Sequence, residues 1–177
     1  TLILIILIAL IFPAVEQNYK IFILSGLLFS LLGDLFLIYP EQHFKKGLLA
    51  FLAGHVCYIF AFTVSSGFHF TSWIFFPIVI VGVLYLRIIL PYSGDMKIPM
   101  VVYIIVITIM GWMAIERLNS ILTLGAILAT SGAVSFMISD AVLALNKFKK
   151  SFNRAELIIL TTYYTAQWLL AVSTIVT

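Results

Sequence analysis

The strongest constraint on this chain is the spacing of its apolar runs. Seven of them follow one another with only short breaks: Leu2–Val15, Tyr19–Tyr39, Gly47–Ser65, Ser72–Leu90, Ile98–Ile115, Ser120–Leu145 and Ala155–Val176. A helix needs roughly 20 apolar residues to cross the hydrocarbon core of a bilayer, and six of these runs approach or reach that length. The breaks carry turn or charge signals: Pro13 to Asn18, Pro40 to Lys46, Ser66 to Thr71, Pro91 to Lys97, Glu116 to Asn119 and Asn146 to Arg154. Such short connections make consecutive helices antiparallel neighbours and leave no room for a soluble domain. The expected fold is all-α: a polytopic transmembrane helical bundle forming one domain over residues 1–177.

Composition agrees. Hydrophobic residues make up 63% of the 177 and charged residues only 10%, against about half and a quarter in soluble domains. That excludes a soluble enzyme, a disordered tail and a disulfide scaffold, and the lone Cys57 permits no intrachain bridge. Scattered basic residues form no nucleic-acid patch. The chain opens at Thr1, already inside an apolar run with no basic segment before it. The first run is therefore read as a helix whose beginning lies upstream, not as a signal peptide.

Basic residues in short loops set orientation. Lys45, Lys46, Lys97, Lys147, Lys149, Lys150 and Arg154 fall in the second, fourth and sixth breaks, Lys20 and Arg117 in the others. The first group is expected in the cytoplasm, with Thr1 near that side and Thr177 on the far side. In a prokaryote the membrane would be the inner one. Trp73, Trp112 and Trp168 near run ends read as interfacial anchors.

Ionisable residues inside a membrane are costly and point to function. Asp34 and Asp140 lie roughly 9 Å in from the cytoplasmic ends of their helices, His55 about 12 Å and Arg87 about 5 Å. Tyr163, Tyr164 and Gln167 on the last helix lie at about 12–18 Å from the same side. Residues on five helices thus converge on one layer. Phe51, His55, Tyr58 and Phe62 share a helix face, as do Glu156, Tyr163, Gln167 and Thr174, while Ser131, Ser135 and Ser139 form a stripe beside Asp140. Gly26, Ser30 and Gly33 give the second helix a small-residue edge for close packing. The expectation is a polar cavity opening toward the cytoplasmic leaflet. An offset of 106 residues maps Ser25, Gly26, Asp34 and Tyr58 onto Ser131, Gly132, Asp140 and Tyr164, which suggests a 4+4 parallel repeat with one aspartate per half.

Four segments in order carry a resemblance. They are Ser30-Leu-Leu-Gly-Asp34-Leu-Phe-Leu, Phe44-x-x-Gly47-Leu-Leu-Ala-Phe51-Leu-Ala-Gly-His55-Val-Cys-Tyr58, Ser139-Asp140-Ala-Val-Leu-Ala-Leu-Asn146-Lys-Phe148, and Thr162-Tyr163-Tyr164-Thr-Ala-Gln167-Trp-Leu. Across about residues 25 to 172 the chain resembles the YhhN family of lysoplasmalogenases. The resemblance implies an eight-helix membrane hydrolase, one helix more than the seven visible here. The implied reaction cleaves the vinyl ether bond of a lysoplasmalogen to a fatty aldehyde and a glycerophosphoethanolamine or glycerophosphocholine. The implied partners are thus a lysophospholipid substrate and the lipid bilayer.

That reaction needs a proton delivered to the alkenyl carbon, then water to attack the resulting oxocarbenium ion. Glycosidases meet a related oxocarbenium problem with two carboxyl groups, and carboxyls sharing a site titrate apart, one keeping its proton. Asp34 and Asp140 suit that division, with Asp140 favoured as the acid. His55, Tyr58, Ser139, Tyr163, Tyr164, Gln167 and Asn146 are the expected supporting or substrate-binding residues. Arg87, with Lys45, Lys46 and Lys147, is a candidate for the substrate phosphate. No cofactor is called for. A zinc site would have to use His55, Asp34 and Asp140, without any paired His or Cys spacing to support it. The competing function class is a proton-coupled small-molecule or lipid transporter, which would also carry aspartates midway in a repeated bundle.

Overall fold

The computed structural model describes residues 1–176, apart from the Ser65 side chain; Thr177, expected on the far side, lies outside the described residues. Seven α-helices follow one another: α1 (Leu2–Ile11), α2 (Gln17–Leu37), α3 (Pro40–Ser66), α4 (Ser72–Ile89), α5 (Lys97–Ile121), α6 (Leu124–Ala144) and α7 (Ala155–Val172). A π-helical turn at Leu145–Lys149 extends α6. Among the described residues, five helical segments are long and apolar enough to cross a membrane: Gln17–Leu37, Pro40–Val64, Ser72–Tyr92, Gly94–Ile121 and Leu124–Lys149. The seven expected runs thus each form a helix, and five of them meet the length and composition of a membrane span. α1 has ten residues, and α7 carries Glu156, Gln167 and a run of hydroxyl residues that dilute its apolar character.

Two expected loops are helix. Pro40 starts α3 rather than breaking the chain, because a proline at the first helical position loses no hydrogen bond; Lys45 and Lys46 therefore ride on the first two turns of α3. The break expected at Glu116–Asn119 is also absent. α5 runs on to Ile121 because Glu116 and Arg117 are buried within the bundle, the first hydrogen-bonded and the second stacked on the Tyr19 ring. Glu116 accepts hydrogen bonds from the Thr71 amide (2.7 Å), the Thr71 hydroxyl (2.9 Å) and the Trp112 indole (2.9 Å), tying the start of α4 to α5. Trp112 is correspondingly a core residue ringed by Phe68, Phe70 and Phe75, not an interfacial anchor; Trp73 and Trp168 remain exposed.

The helix ends sort into two groups. At one end Phe44 of α3 packs edge-on against Phe148 after α6 (5.8 Å), Lys147 lies over Phe44 (5.2 Å) and Lys149 over Tyr92 after α4 (5.6 Å). The three lysine-rich connections therefore meet. At the other end Tyr19 bonds Ser173 (2.7 Å) and lies under the Arg117 guanidinium (4.4 Å), and the Lys20 ammonium caps the free carbonyls of Leu10 and Phe12 closing α1.

Two helical hairpins, α2–α3 and α6–α7, make up most of the bundle, with α5 against α3 and α6, and α4 on the outside of α5. The first hairpin closes through glycine. A Cβ at Gly26 would overlap the Tyr58 ring, and one at Gly54 would stand 3.2 Å from the Gly26 carbonyl. Small residues let backbones approach where there is no water to drive helices together. Outward faces remain apolar, with exposed leucine, isoleucine or phenylalanine on every helix, as a lipid solvent requires.

Candidate active site

The polar layer assembles around Asp140. Its Oδ2 accepts a hydrogen bond from the Tyr103 hydroxyl of α5 (2.6 Å) and lies 3.5 Å from His55 Nε2 of α3. The second distance exceeds an ordinary hydrogen bond. His55 is fully buried, held edge-on between Phe136 (4.7 Å) and Tyr103 (5.3 Å), and neither ring nitrogen has a hydrogen-bond partner among the described residues.

Two cavities meet at this point. The larger, about 420 Å³, is lined almost wholly by apolar side chains of α3, α4, α5 and α6. The smaller, about 230 Å³, is lined by Asp34, Ser139, Asp140, Tyr163 and Tyr164 among leucines and isoleucines. Asp140 borders both, with Leu37, Phe51 and Leu143; Asp34 borders only the smaller one. A water occupies about 30 Å³ in the liquid, so the smaller cavity has room for a few waters or a polar fragment of a ligand.

Asp34 and Asp140, on α2 and α6, therefore share one chamber. The Tyr163 hydroxyl sits beside the Asp34 carboxyl. Ser139 is spent on the Ile159 carbonyl (3.0 Å), fastening α6 to α7 beside Asp140. Tyr58 donates to Gln167 Oε1 (2.8 Å) in a buried α3–α7 clasp, and both lie behind the chamber rather than in its wall. Arg87 is exposed on α4 and lines neither cavity; Asn146 accepts from the Phe152 amide (3.3 Å) and organises the loop before α7. The stripe expected on α6 splits, with Ser139 buried and Ser131 exposed. Among the described residues, no three His, Cys, Asp or Glu side chains stand close enough together to hold a metal ion.

Tyr103 has no counterpart in the sequence reading. It sits in an unbroken apolar run, Ile98–Ile115, whose only signal was a hydroxyl at the depth of the aspartates. Tyr103→Phe removes the short hydrogen bond that Asp140 accepts from α5. We expect kcat/KM to fall about tenfold while the thermal midpoint moves little, in keeping with the ~1.5–3 kcal/mol of a hydrogen bond to a charged group. Equal losses in activity and stability would instead mean a packing role.

A helical bundle with two carboxyl groups facing one chamber among membrane-crossing helices defines a multi-pass membrane protein with an intramembrane polar site. The chain belongs to the YhhN family, whose model matches residues 1–174. It is 36% identical over 160 residues to lysoplasmalogenase TMEM86A of Homo sapiens, covering 86% of this chain and 65% of that protein. It is 31% identical over 157 residues to lysoplasmalogenase TMEM86B of Homo sapiens, covering 88% and 64%. With YhhN of Escherichia coli, named as a membrane protein, it shares 27% identity over 148 residues, covering 84% and 71%. The chain thus spans just under two thirds of the length of the two human relatives. No solved structure matches it.

Proposed function

We propose that this chain hydrolyses the vinyl ether bond of a lysoplasmalogen. The observation that carries the reading is the junction at Asp140, where a carboxyl group stands between a long apolar cavity and a small polar chamber that also holds Asp34. The substrate has the same division, an alkenyl chain joined through the reacting bond to a polar glycerophospho-base. The names of the human relatives support the same chemistry.

Asp140 donates its proton to the alkenyl carbon next but one to the ether oxygen, leaving an oxocarbenium ion and a carboxylate. Water from the smaller chamber adds to the cationic carbon and gives its proton to the Asp34 carboxylate. The hemiacetal then collapses: Asp34 returns that proton to the departing glycerol oxygen, and Asp140 takes the proton of the hemiacetal hydroxyl as the aldehyde forms. Both carboxyl groups end as they began. Tyr103 occupies one oxygen of Asp140, which leaves the other to face the substrate. His55, buried with its Nε2 3.5 Å from Asp140 and lining neither cavity, positions that carboxyl from behind. Tyr163 and Tyr164 line the glycerol side, and Tyr58, Gln167, Ser139 and Asn146 position the helices that carry them.

Lys147, over the Phe44 ring at the lysine-rich end, is the cation best placed for the substrate phosphate, with Lys45 and Lys46 nearby in sequence. Arg87, facing outward, serves lipid headgroups instead. By the split of basic residues, this mouth faces the cytoplasm.

The test is aldehyde release from lysoplasmalogen by the purified full-length protein in bilayer discs. Release matched by an equal yield of glycerophospho-base is expected. No release by folded protein from any alkenyl lysolipid would overturn the reading and favour a transporter.

A further inference from the structure

The larger cavity is a trough with an open side. Its floor is α5 and its walls are α4 and α6. Val81 of α4 and Val134 and Ile138 of α6 line it and are nevertheless 60%, 40% and 46% exposed. Side chains that line a cavity and are this exposed, on facing helices, mark its mouth. The mouth is therefore a crevice between α4 and α6. Both helices are long and apolar enough to cross a membrane. Counted from Ala144 at the lysine-rich end, Ile138 and Val134 lie about 9 and 15 Å along α6. A ~30 Å hydrocarbon core has leaflets ~15 Å deep, so the crevice opens onto acyl chains of one leaflet.

The wall formed by α4 is lightly held. It packs mainly on α5, where a Cβ at Gly82 would stand 2.6 Å from the Thr108 hydroxyl. Of its residues Ile74 and Ile89 are buried and the rest are partly or fully exposed. Tyr85 crosses the crevice on its lysine side, donating to the Ala141 carbonyl at 2.7 Å. That carbonyl also accepts from the Leu145 amide, so the crossing can part without orphaning a backbone group. The end of the trough that faces the lysines is different. There Phe44 and Phe148 meet edge-on at 5.8 Å with Lys147 over the first ring.

We propose that a single-chain lipid enters the trough sideways from the leaflet, between Val81 of α4 and Ile138 of α6, and slides its chain past Asp140 while its phosphate stays at the lysines. The inference rests on the proposed reaction for the identity of the lipid and on the crevice for the route. Bringing a chain through water costs about fourfold in population per methylene, a factor on the order of 10⁷ for about a dozen. A lipid already in the leaflet avoids that cost at the crevice and would meet it at any mouth opening to water. Asp140 lines the same cavity as both rim residues, so the route ends at the reacting carboxyl.

The experiment narrows the crevice with Val81→Trp and Ile138→Trp. Ile80→Trp and Ile127→Trp are the controls, on exposed positions of the same two helices outside the cavity. Each is assayed on a long-chain alkenyl lysolipid held in bilayer discs and on a short-chain analogue dissolved as monomers in water. The rim variants should lose about tenfold or more in kcat/KM on the bilayer-borne lipid and much less on the water-borne one; the controls should keep both. In parallel, a saturated alkyl ether lysolipid with a diazirine at mid-chain, which cannot be cleaved, is photolysed in the discs. Adducts on Val81 and Ile138 should fall when unlabelled alkyl lysolipid is added in excess and persist with excess two-chain phosphatidylcholine. Absence of aldehyde release with adducts displaced in this way would sink the reaction and keep the route. Equal losses on the two substrates in the rim variants, or adducts at Val81 and Ile138 that the alkyl lysolipid does not displace, would overturn the route.

Discussion

Asp140→Asn should abolish measurable turnover while leaving the protein folded. The amide has the shape of the carboxyl and still accepts from Tyr103 through its oxygen, so the α5–α6 contact survives. What disappears is the transferable proton. Protonation of an alkenyl carbon is the slow step of vinyl ether hydrolysis, and a positioned acid contributes typically about 10²–10⁴-fold; the loss should fall in the upper part of that range. Asp34→Asn should cost less, about 10². The Asp34 carboxylate faces the same chamber as Asp140, so it also stabilises the positive charge that develops as the carbon is protonated. The two variants are compared by initial rates of aldehyde release and by the solvent isotope effect on kcat. Asp34→Asn should keep the wild-type isotope effect, because carbon protonation still limits. The reverse order, with Asp34→Asn the more damaged, would exchange the roles of the two aspartates. Wild-type activity in both would remove the carboxyl pair from the mechanism.

The aspartates were legible because charge inside an apolar run has so few innocent explanations. Asp34 and Asp140 lie in runs where every neighbour is lipid-compatible, and the helical rise alone put them at one depth. The face of α3 was legible for a similar reason: Phe51, His55, Tyr58 and Phe62 repeat at three and four, and all four are buried. Tyr103 was hidden because an aromatic hydroxyl in an apolar run reads as interface or core until its partner is known. Glu116 and Arg117 misled in the opposite direction. Two adjacent charges look like a loop, yet Thr71 and Trp112 satisfy the first and the Tyr19 ring receives the second, contacts more than 40 residues distant or across a helix turn that no local pattern announces. The large cavity was illegible for a related reason. It is a gap between α4, α5 and α6, and a gap is set by how small residues such as Gly82 and Gly111 seat against Thr108 and Met137, not by hydropathy.

Gly26→Val should be among the most destabilising single changes in the protein. Its first side-chain atom would overlap the edge of the Tyr58 ring. That ring has nowhere to go: it is fully buried, its hydroxyl holds Gln167 at 2.8 Å and its face meets Phe136 at 6.2 Å. Backing α2 away would open the close α2–α3 seam, where a Cβ at Gly54 would stand only 3.2 Å from the Gly26 carbonyl. Overpacking a tight core costs about 1–3 kcal/mol, and pushing Tyr58 off Gln167 leaves a buried amide unsatisfied for about 1–3 kcal/mol more. The sum is a large share of a typical folding free energy of about 5–15 kcal/mol. The measurement is the thermal midpoint in detergent for Gly26→Val, Tyr58→Ala and the double variant. Because the clash is between these two side chains, the double variant should be more stable than the two single losses predict, with a coupling of about 1 kcal/mol or more. Strict additivity would mean that the α2–α3 hairpin accommodates a valine by shifting as a body. Asp34, eight residues along α2 or about 12 Å from Gly26, would then move with it, and Gly26→Val would lose turnover without losing stability.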